Sequence, residues 1–118
     1  MNVFITGCST GIGLAAAEHF IAKGYQVIAT ARNPKSSEGL QSLIKSNDSV
    51  MVLPLDVTDQ ASVDTTIKKV TDEVGAIDVL INNAGIGHGM SVENTSIDKA
   101  REIMETNYFG AYRMMQAV

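Results

Sequence analysis

Short apolar runs alternate along the chain with longer amphipathic segments. Four of these runs predict strands that are buried on both faces: Val3–Ile5, Val27–Ala29, Val50–Leu53 and Ile77–Ile81. Apolar residues at helical spacing fill the intervals between them. This alternation is typical of βαβ units, so the chain is predicted to form an α/β fold in which helices cover both faces of a parallel sheet.

The predicted helices have recognisable ends. The clearest helix spans residues 60–74, where the apolar side chains of Val63, Ile67, Val70 and Val74 fall at steps of four, three and four. Thr58 or Asp59 is the expected cap at its start, and Gly75 is expected to end it. Another helix ends before Gly24 in the same way.

The last predicted helix begins near Ile97 and is still in progress at Val118. No glycine, basic residue or polar tail follows to satisfy its final carbonyl groups. We therefore expect the sequence to be part of a longer chain. The alternative is a natural terminus on a frayed helix.

Length and composition narrow the class of protein. With 118 residues, 45% of them hydrophobic, the chain suits one folded domain, and its net charge of −4 argues against a general nucleic-acid binder. No apolar run approaches the roughly 18 residues that a membrane span needs. Cys8 is the only cysteine, which excludes an intramolecular disulfide, and no secretory signal is visible, so we expect a cytoplasmic protein. We predict no metal site.

Three glycines follow the first predicted strand and lead into the first helix. Gly7 can turn the chain sharply, Gly11 leaves room beside the backbone, and Gly13 permits close helix–strand packing. Ser9 and Thr10 add hydroxyl donors, and the N–H groups at the helix start can bind an anion. The loop lacks the Gly-Lys-Ser/Thr of an ATP-hydrolysing P-loop. It predicts a pyrophosphate site, with an ordinary glycine-rich turn as the alternative.

Five motifs occur in register along the chain. They are Thr6-Gly-x-x-x-Gly-Ile-Gly13, Asp56-Val57, Asp78, Asn82-Asn-Ala-Gly85 and Asn107-x-x-Gly110. Together they resemble the short-chain dehydrogenase/reductase family in its single-domain type. The resemblance implies a Rossmann-like, doubly wound sheet whose first four strands have the order 3-2-1-4. Residues 1–118 would then be the N-terminal part of an NAD(P)-binding domain.

By this resemblance, a nicotinamide dinucleotide lies across the carboxyl ends of the strands. Its pyrophosphate would lie over the glycine loop, which comprises Gly7, Ser9, Thr10, Gly11, Ile12 and Gly13. Asp56 would accept a hydrogen bond from the adenine amino group, and Val57 would pack on the adenine ring. The fold and the glycine loop therefore point to the same edge of the sheet.

The loop after the fourth strand would line the path from the adenosine ribose to the nicotinamide. The resemblance assigns this role to Asn83, Ala84 and Gly85. Asn82 is expected to brace the sheet instead. Asp78 either helps to hold the central strands or is an ordinary carboxylate at a strand end.

The end of the second strand indicates which dinucleotide is bound. An acidic residue there would bind the ribose hydroxyls of NAD, but the sequence reads Thr30-Ala31-Arg32-Asn33. Arg32 lies about 20 residues beyond Gly13, near the discriminating position. Because a guanidinium matches a phosphate in charge and geometry, we predict that Arg32 and Asn33 favour NADP(H). NAD(H) is the alternative cofactor, and a solvated loop charge is the alternative role for Arg32.

The carbonyl chemistry of this family uses a serine, a tyrosine and a lysine four residues after it, with an asparagine in a proton relay. Asn107 matches the asparagine, but no Tyr-x-x-x-Lys occurs in the chain. Asn107 could instead be a core residue bonded to the backbone. We predict the cofactor half of an oxidoreductase that transfers hydride between NADP(H) and a small carbonyl or alcohol, and that is inactive by itself. The alternative is a dinucleotide-binding or sensing module without catalysis.

Three features lie outside these assignments. His88 fits the rim of a substrate site better than a catalytic role, and Cys8 is either a reactive thiol at a helix N-terminus or an unreactive loop residue. The fourth strand has the composition of a central strand but would lie at an edge of the sheet. We therefore predict homo-oligomers formed through that strand or the last helix, and no nucleic-acid or membrane partner.

Overall fold

The computed structural model describes all 118 residues, in four strands and five α-helices. The strands are β1 (Asn2–Ile5), β2 (Gln26–Ala31), β3 (Val50–Pro54) and β4 (Val79–Ile81). The α-helices are α1 (Gly11–Ala22), α2 (Glu38–Ser46), α3 (Gln60–Glu73), α4 (Ile97–Met104) and α5 (Ala111–Ala117). Two 3-10 turns, Pro34–Ser36 and Val92–Asn94, and a π-helical turn, Glu105–Gly110, complete the regular structure.

The four strands form one parallel sheet in the order β3-β2-β1-β4, which confirms the predicted fold class and strand order. After β3 the chain crosses the sheet through α3 and returns as β4 on the far side of β1. The strand order therefore reverses between β1 and β4. Open α/β sheets bind ligands beyond the carboxyl ends of the strands at such a reversal, because the crossover connections diverge there and leave a crevice.

Each face of the sheet has its own core, because side chains along a strand point alternately to opposite faces. Val3 and Ile5 of β1 belong to a buried cluster that also contains Leu40 of α2. Phe4 points to the other face, where it belongs to a second cluster with Met114 of α5. The helices on the two sides of the sheet are thus anchored by neighbouring residues of one strand.

Two elements differ from the sequence-based expectation. The fourth strand covers only Val79–Ile81, and its residues are half-buried because no strand pairs with the outer edge of β4. The segment from Ile97 to Ala117 is not one continuous α-helix, since the π-helical turn Glu105–Gly110 separates α4 from α5. None of the five α-helices combines the length and the apolar character that a membrane-spanning helix needs.

Candidate functional site

A cleft of about 460 Å³ lies over the carboxyl ends of the strands. Its walls come from the glycine loop, the ends of β2 and β3, the loop after β4, and the last turns before Asn107. Ten of the predicted site residues line it: Gly7, Ser9, Thr10, Ile12, Arg32, Asp56, Val57, Asn83, Ala84 and Gly85. Four predicted residues do not: Gly11, Gly13, Asn33 and Asn107.

Helix α1 begins beside this cleft, and its first turn has no side-chain cap. Thr10, at the cap position, makes no capping hydrogen bond, and the first turn contains no acidic residue. By contrast, Ser37, Asp59 and Ser96 cap α2, α3 and α4 with their side chains. The first N–H groups of α1 therefore remain free for an anion, and the helix dipole favours negative charge at this end.

The three glycines of the loop are required for different reasons. Gly7 and Gly11 have positive φ angles of 73° and 61°, which favour glycine. A Cβ at Gly11 would meet nothing within 4 Å, so the space above this residue is open. Gly13 is buried, and a Cβ there would lie 2.3 Å from the carbonyl oxygen of Gly7. The first two glycines thus shape the loop, and the third lets α1 approach it.

Thr6 joins the glycine loop to the loop after β4. Its Oγ1 accepts hydrogen bonds from the N–H groups of Asn83 and Ala84, at 3.0 and 2.9 Å. The Nδ2 of Asn83 donates in return to the carbonyl oxygens of Thr6 and Gly7, at 3.0 and 2.9 Å. Asn83 is therefore the bracing residue, and the prediction that gave this role to Asn82 is wrong, since the side chain of Asn82 is exposed and makes no hydrogen bond within the protein.

At the other ends of β1 and β4, Asp78 holds the two strands side by side. The N–H of Asn2 donates to Oδ2 of Asp78 at 2.7 Å, and the N–H of Asp78 donates to the carbonyl oxygen of Asn2 at 3.0 Å. Of its two sequence-based interpretations, the structure therefore favours the one in which Asp78 holds the central strands.

Asp56 lies at the cleft just beyond β3, with one carboxylate oxygen engaged. Its Oδ1 accepts hydrogen bonds from the hydroxyl of Thr58 at 2.7 Å and from the N–H of Thr58 at 2.9 Å. These two bonds lower the pKa of Asp56, and the positive charge of Arg32 contributes to the same effect. The carboxylate is therefore ionised at neutral pH, and its second oxygen can accept a hydrogen bond from a ligand.

Arg32 and Asn33 line a second cleft of about 410 Å³ beside the first, together with Ser9, Ala31 and Ser36. Ser9, Ala31 and Arg32 belong to both clefts. Arg32 is exposed, and none of the five salt bridges of the protein involves it. The second cleft is thus an open recess, lined mostly by polar residues, with a guanidinium group at its edge that forms no salt bridge.

Asn107 lies in the π-helical turn, and both polar atoms of its side chain bind the loop after β4. Its Oδ1 accepts a hydrogen bond from the N–H of Ile86 at 2.8 Å, and its Nδ2 donates to the carbonyl oxygen of Ile86 at 2.9 Å. This matches the interpretation of a side chain bonded to the backbone, although the residue is exposed rather than in the core. The side chain holds the loop in place, and its part in a proton relay stays a prediction.

Cys8 and His88, the two other candidate reactive residues, do not line the main cleft. Cys8 is buried, and burial raises the pKa of its thiol to about 11. Since the thiolate is the reactive form, this argues against the reactive-thiol interpretation. His88 is exposed, and it does not line the main cleft.

Several cleft residues were not assigned from the sequence. They are Thr6, Thr30, Ala31, Leu55, Thr58, Ile86, Glu102 and Thr106. Thr6 had a usable signal, because it opens the glycine motif. Glu102 and Thr106 had none, since they reach the cleft only through the packing of α4 and the π-helical turn.

Comparison with known proteins agrees with the fold and the position of the cleft. A family model described as short chain dehydrogenase matches residues 1–118. The chain belongs to this family. Oxidoreductase calM from Penicillium decumbens is 40% identical over 115 residues, which cover 94% of this chain and 37% of that relative. The 3-oxoacyl-acyl-carrier-protein reductase FabG from Vibrio harveyi is 39% identical over 114 residues, which cover 97% of this chain and 46% of that relative.

Solved structures of the family share the fold. The NADPH-bound carbonyl reductase from chicken fatty liver matches with a TM-score of 0.93 at 32% identity, over 98% of this chain and 49% of that chain. Serine dehydrogenase from Escherichia coli matches with a TM-score of 0.88 at 33% identity, over 100% of this chain and 54% of that chain. The chain therefore spans about half the length of these short-chain dehydrogenases.

Proposed function

We propose that the chain is the cofactor-binding part of an NADP(H)-dependent oxidoreductase acting on a small carbonyl or alcohol substrate. The observation that carries this proposal is the uncapped start of α1, which faces an open, glycine-lined cleft at the reversal of strand order. The dinucleotide, when bound, supplies or accepts the hydride. The residues of this chain bind and orient it.

The donors and acceptors of the cleft suit the parts of a dinucleotide. The N–H groups of α1 and the hydroxyls of Ser9 and Thr10 are donors for a pyrophosphate. The second carboxylate oxygen of Asp56 can accept a hydrogen bond from the adenine amino group, and Val57 offers an apolar contact to the ring. The backbone of Ala84, fixed by Thr6, lines the route toward the substrate side.

The unpaired guanidinium of Arg32 supports NADP(H) rather than NAD(H) as the preferred cofactor. Together with Asn33 and Ser36 it lines a polar recess that could hold a 2′-phosphate. The carbonyl reductase noted above is described as NADPH-bound, so a relative with the same fold holds this form of the cofactor.

Titration of NADPH and NADH into the purified chain tests the proposal. Binding can be followed by nicotinamide fluorescence, since the chain has no tryptophan. We expect saturable binding that favours NADPH, and about a tenfold loss of NADPH affinity in Arg32→Ala with NADH little affected, because a charged hydrogen bond is worth about 1.5–3 kcal/mol. Arg101→Ala is the matched control, since Arg101 is exposed on α4 and pairs only with Asp98. Equal weakening of both nucleotides by Arg32→Ala would contradict the NADP(H) assignment.

A second candidate is a dinucleotide-binding or sensing module that does not catalyse a reaction. It shares the uncapped start of α1 and the glycine-lined cleft with the first candidate and differs from it only in the chemistry that follows cofactor binding. Both candidates predict NADPH binding without carbonyl reduction by this chain alone, so activity of the longer chain separates them. Self-association and a cytoplasmic location remain predictions.

A further inference from the structure

Ser37 connects the glycine loop to the start of α2. Its hydroxyl donates to the carbonyl oxygen of Ser9 at 2.6 Å, and its Oγ accepts a hydrogen bond from the N–H of Leu40 at 3.2 Å. The residue is only 6% exposed. One buried hydroxyl group therefore serves two partners at once, as the cap of a helix and as the donor to a loop 28 residues away.

Ser9 lies where the two clefts meet. It is the one residue of the glycine loop that lines both of them, and Arg32 lines both as well. Because the carbonyl group of Ser9 is bonded to Ser37, the position of Ser9 depends on that hydroxyl. A shift of Ser9 would change the shape of the recess that Arg32 lines.

The loop after β2 provides the fixed frame for this contact. The hydroxyl of Ser36 donates to the carbonyl oxygen of Asn33 at 2.9 Å, and the Nε2 of Gln41 donates to the carbonyl oxygen of Pro34 at 3.2 Å. These bonds fold the loop into a 3-10 turn that leads directly into α2. The hydroxyl of Ser37 attaches the glycine loop to that frame.

We infer that Ser37 is a positioning residue for cofactor selection, which holds Ser9 against the loop after β2 and so sets the width of the recess lined by Arg32. The inference rests on the proposed function, since the recess would receive the 2′-phosphate of NADP(H). NAD(H) carries a hydroxyl at that place and does not need the recess. Loss of the Ser37 hydroxyl therefore weakens NADPH binding more than NADH binding.

The test compares NADPH and NADH affinities in matched variants of the chain. Ser37→Ala removes the loop bond and the cap, whereas Ser37→Thr keeps a hydroxyl. Ser96→Ala is the control, because Ser96 caps α4 through the same 3.2 Å contact, to Lys99, away from the glycine loop. We expect the ratio of NADPH to NADH affinity to fall about threefold to tenfold in Ser37→Ala, the range that one hydrogen bond supports, and to stay at the wild-type value in the other two.

A second readout does not depend on any cofactor. The amide nitrogen of Thr10 shares a peptide plane with the Ser9 carbonyl, so its NMR resonance reports the bond from Ser37. It should move in Ser37→Ala and return in Ser37→Thr. If Ser37→Ala does not fold, Ser37→Gly replaces it in both experiments, because glycine also lacks the hydroxyl but is a better helix cap than alanine.

The outcomes separate this inference from the proposed function. An unchanged affinity ratio in a folded Ser37→Ala chain, or an unmoved Thr10 resonance, overturns the inference and leaves the proposed function standing. A wild-type chain that binds neither nucleotide overturns the proposed function, and the inference falls with it.

Discussion

Gly13 has less room for a side chain than the other two glycines of the glycine loop. A Cβ there would lie 2.3 Å from the carbonyl oxygen of Gly7 and 2.4 Å from Nδ2 of Asn83. Neither atom can retreat easily, because one belongs to the backbone and the other is held by two hydrogen bonds. The close approach of α1 to the glycine loop therefore depends on the absence of a side chain at this position.

Gly13→Ala should lower the free energy of unfolding by about 3 kcal/mol, the upper part of the range for an overpacked core. Gly89→Ala is the control, since a Cβ at Gly89 would meet nothing within 4 Å. Urea unfolding of the two variants measures the difference. A Gly13→Ala midpoint equal to that of Gly89→Ala would mean that the loop relaxes without cost.

Cys8 should be unreactive in the folded chain. Its side chain has no exposed surface, and burial raises its pKa to about 11. The thiolate population at pH 8 is then about a thousandth of the total, and the reagent cannot reach it. A thiol-specific chromogenic reagent should label Cys8 only after urea is added. Rapid labelling under native conditions would show that the glycine loop opens.

For single residues, features that depend on neighbouring positions could be predicted from the sequence, and contacts between distant positions could not. The glycine loop could be predicted because its turns depend on nearby residues. The bracing role was assigned to Asn82 instead of Asn83, since the orientation of each relative to the sheet follows from the path of the chain after β4, which the sequence does not show. Thr6 and Ser37 act on partners 77 and 28 residues away, and their spacing in the sequence carries no sign of it.

The ends of helices were also predicted only in part from the sequence. Thr58 and Asp59 were equal candidates for the cap of α3, and the structure shows that Asp59 accepts the bond from the N–H of Ala61 at 3.0 Å. The hydroxyl of Thr58 is bonded to Asp56 instead. The π-helical turn was not predicted, because one register shift within a helix barely alters its apolar periodicity.

Arg113 connects this π-helical turn to the loop after β3. From α5 its guanidinium donates to the carboxylate of Glu105 and, at 3.4 Å, to the carbonyl oxygen of Val57. The pair is partly shielded, since the side chains of Arg113 and Glu105 are 24% and 43% exposed. It therefore ties the segment that carries Asn107 to the wall of the cleft.

Arg113→Ala should lower the free energy of unfolding by about 1 kcal/mol, since a partly shielded pair retains more of its interaction than an exposed one. Lys68→Ala, which breaks an exposed pair with Asp72 on α3, should leave the urea midpoint almost unchanged. Urea unfolding of both variants measures the two changes in the free energy of unfolding. Equal midpoints would mean that the Arg113 contacts contribute no more than a surface ion pair.

The sheet is covered by a hydrophobic core on both faces, but it ends at an exposed edge strand, β4. Its architecture was predictable because apolar residues alternate between two faces of buried strands, and helices are needed on both. The outer edge of β4 nevertheless has no partner. On the last helical segment, Tyr108, Tyr112 and Met115 are each about half exposed. An unpaired edge and a row of exposed apolar side chains are both features of association surfaces.

We therefore expect the chain to self-associate at tens of micromolar. The row of Tyr108, Tyr112 and Met115 is one candidate contact surface, and the outer edge of β4 is the other. Tyr112→Glu places a charge within the row and should shift the sedimentation coefficient toward that of a monomer, because burying an unpaired carboxylate is costly. Ile44→Glu makes the same kind of change at an exposed residue of α2 and should leave association intact. If Tyr112→Glu has no effect on an associating chain, the open edge of β4 is the contact. A wild-type chain that sediments as a monomer contradicts both routes.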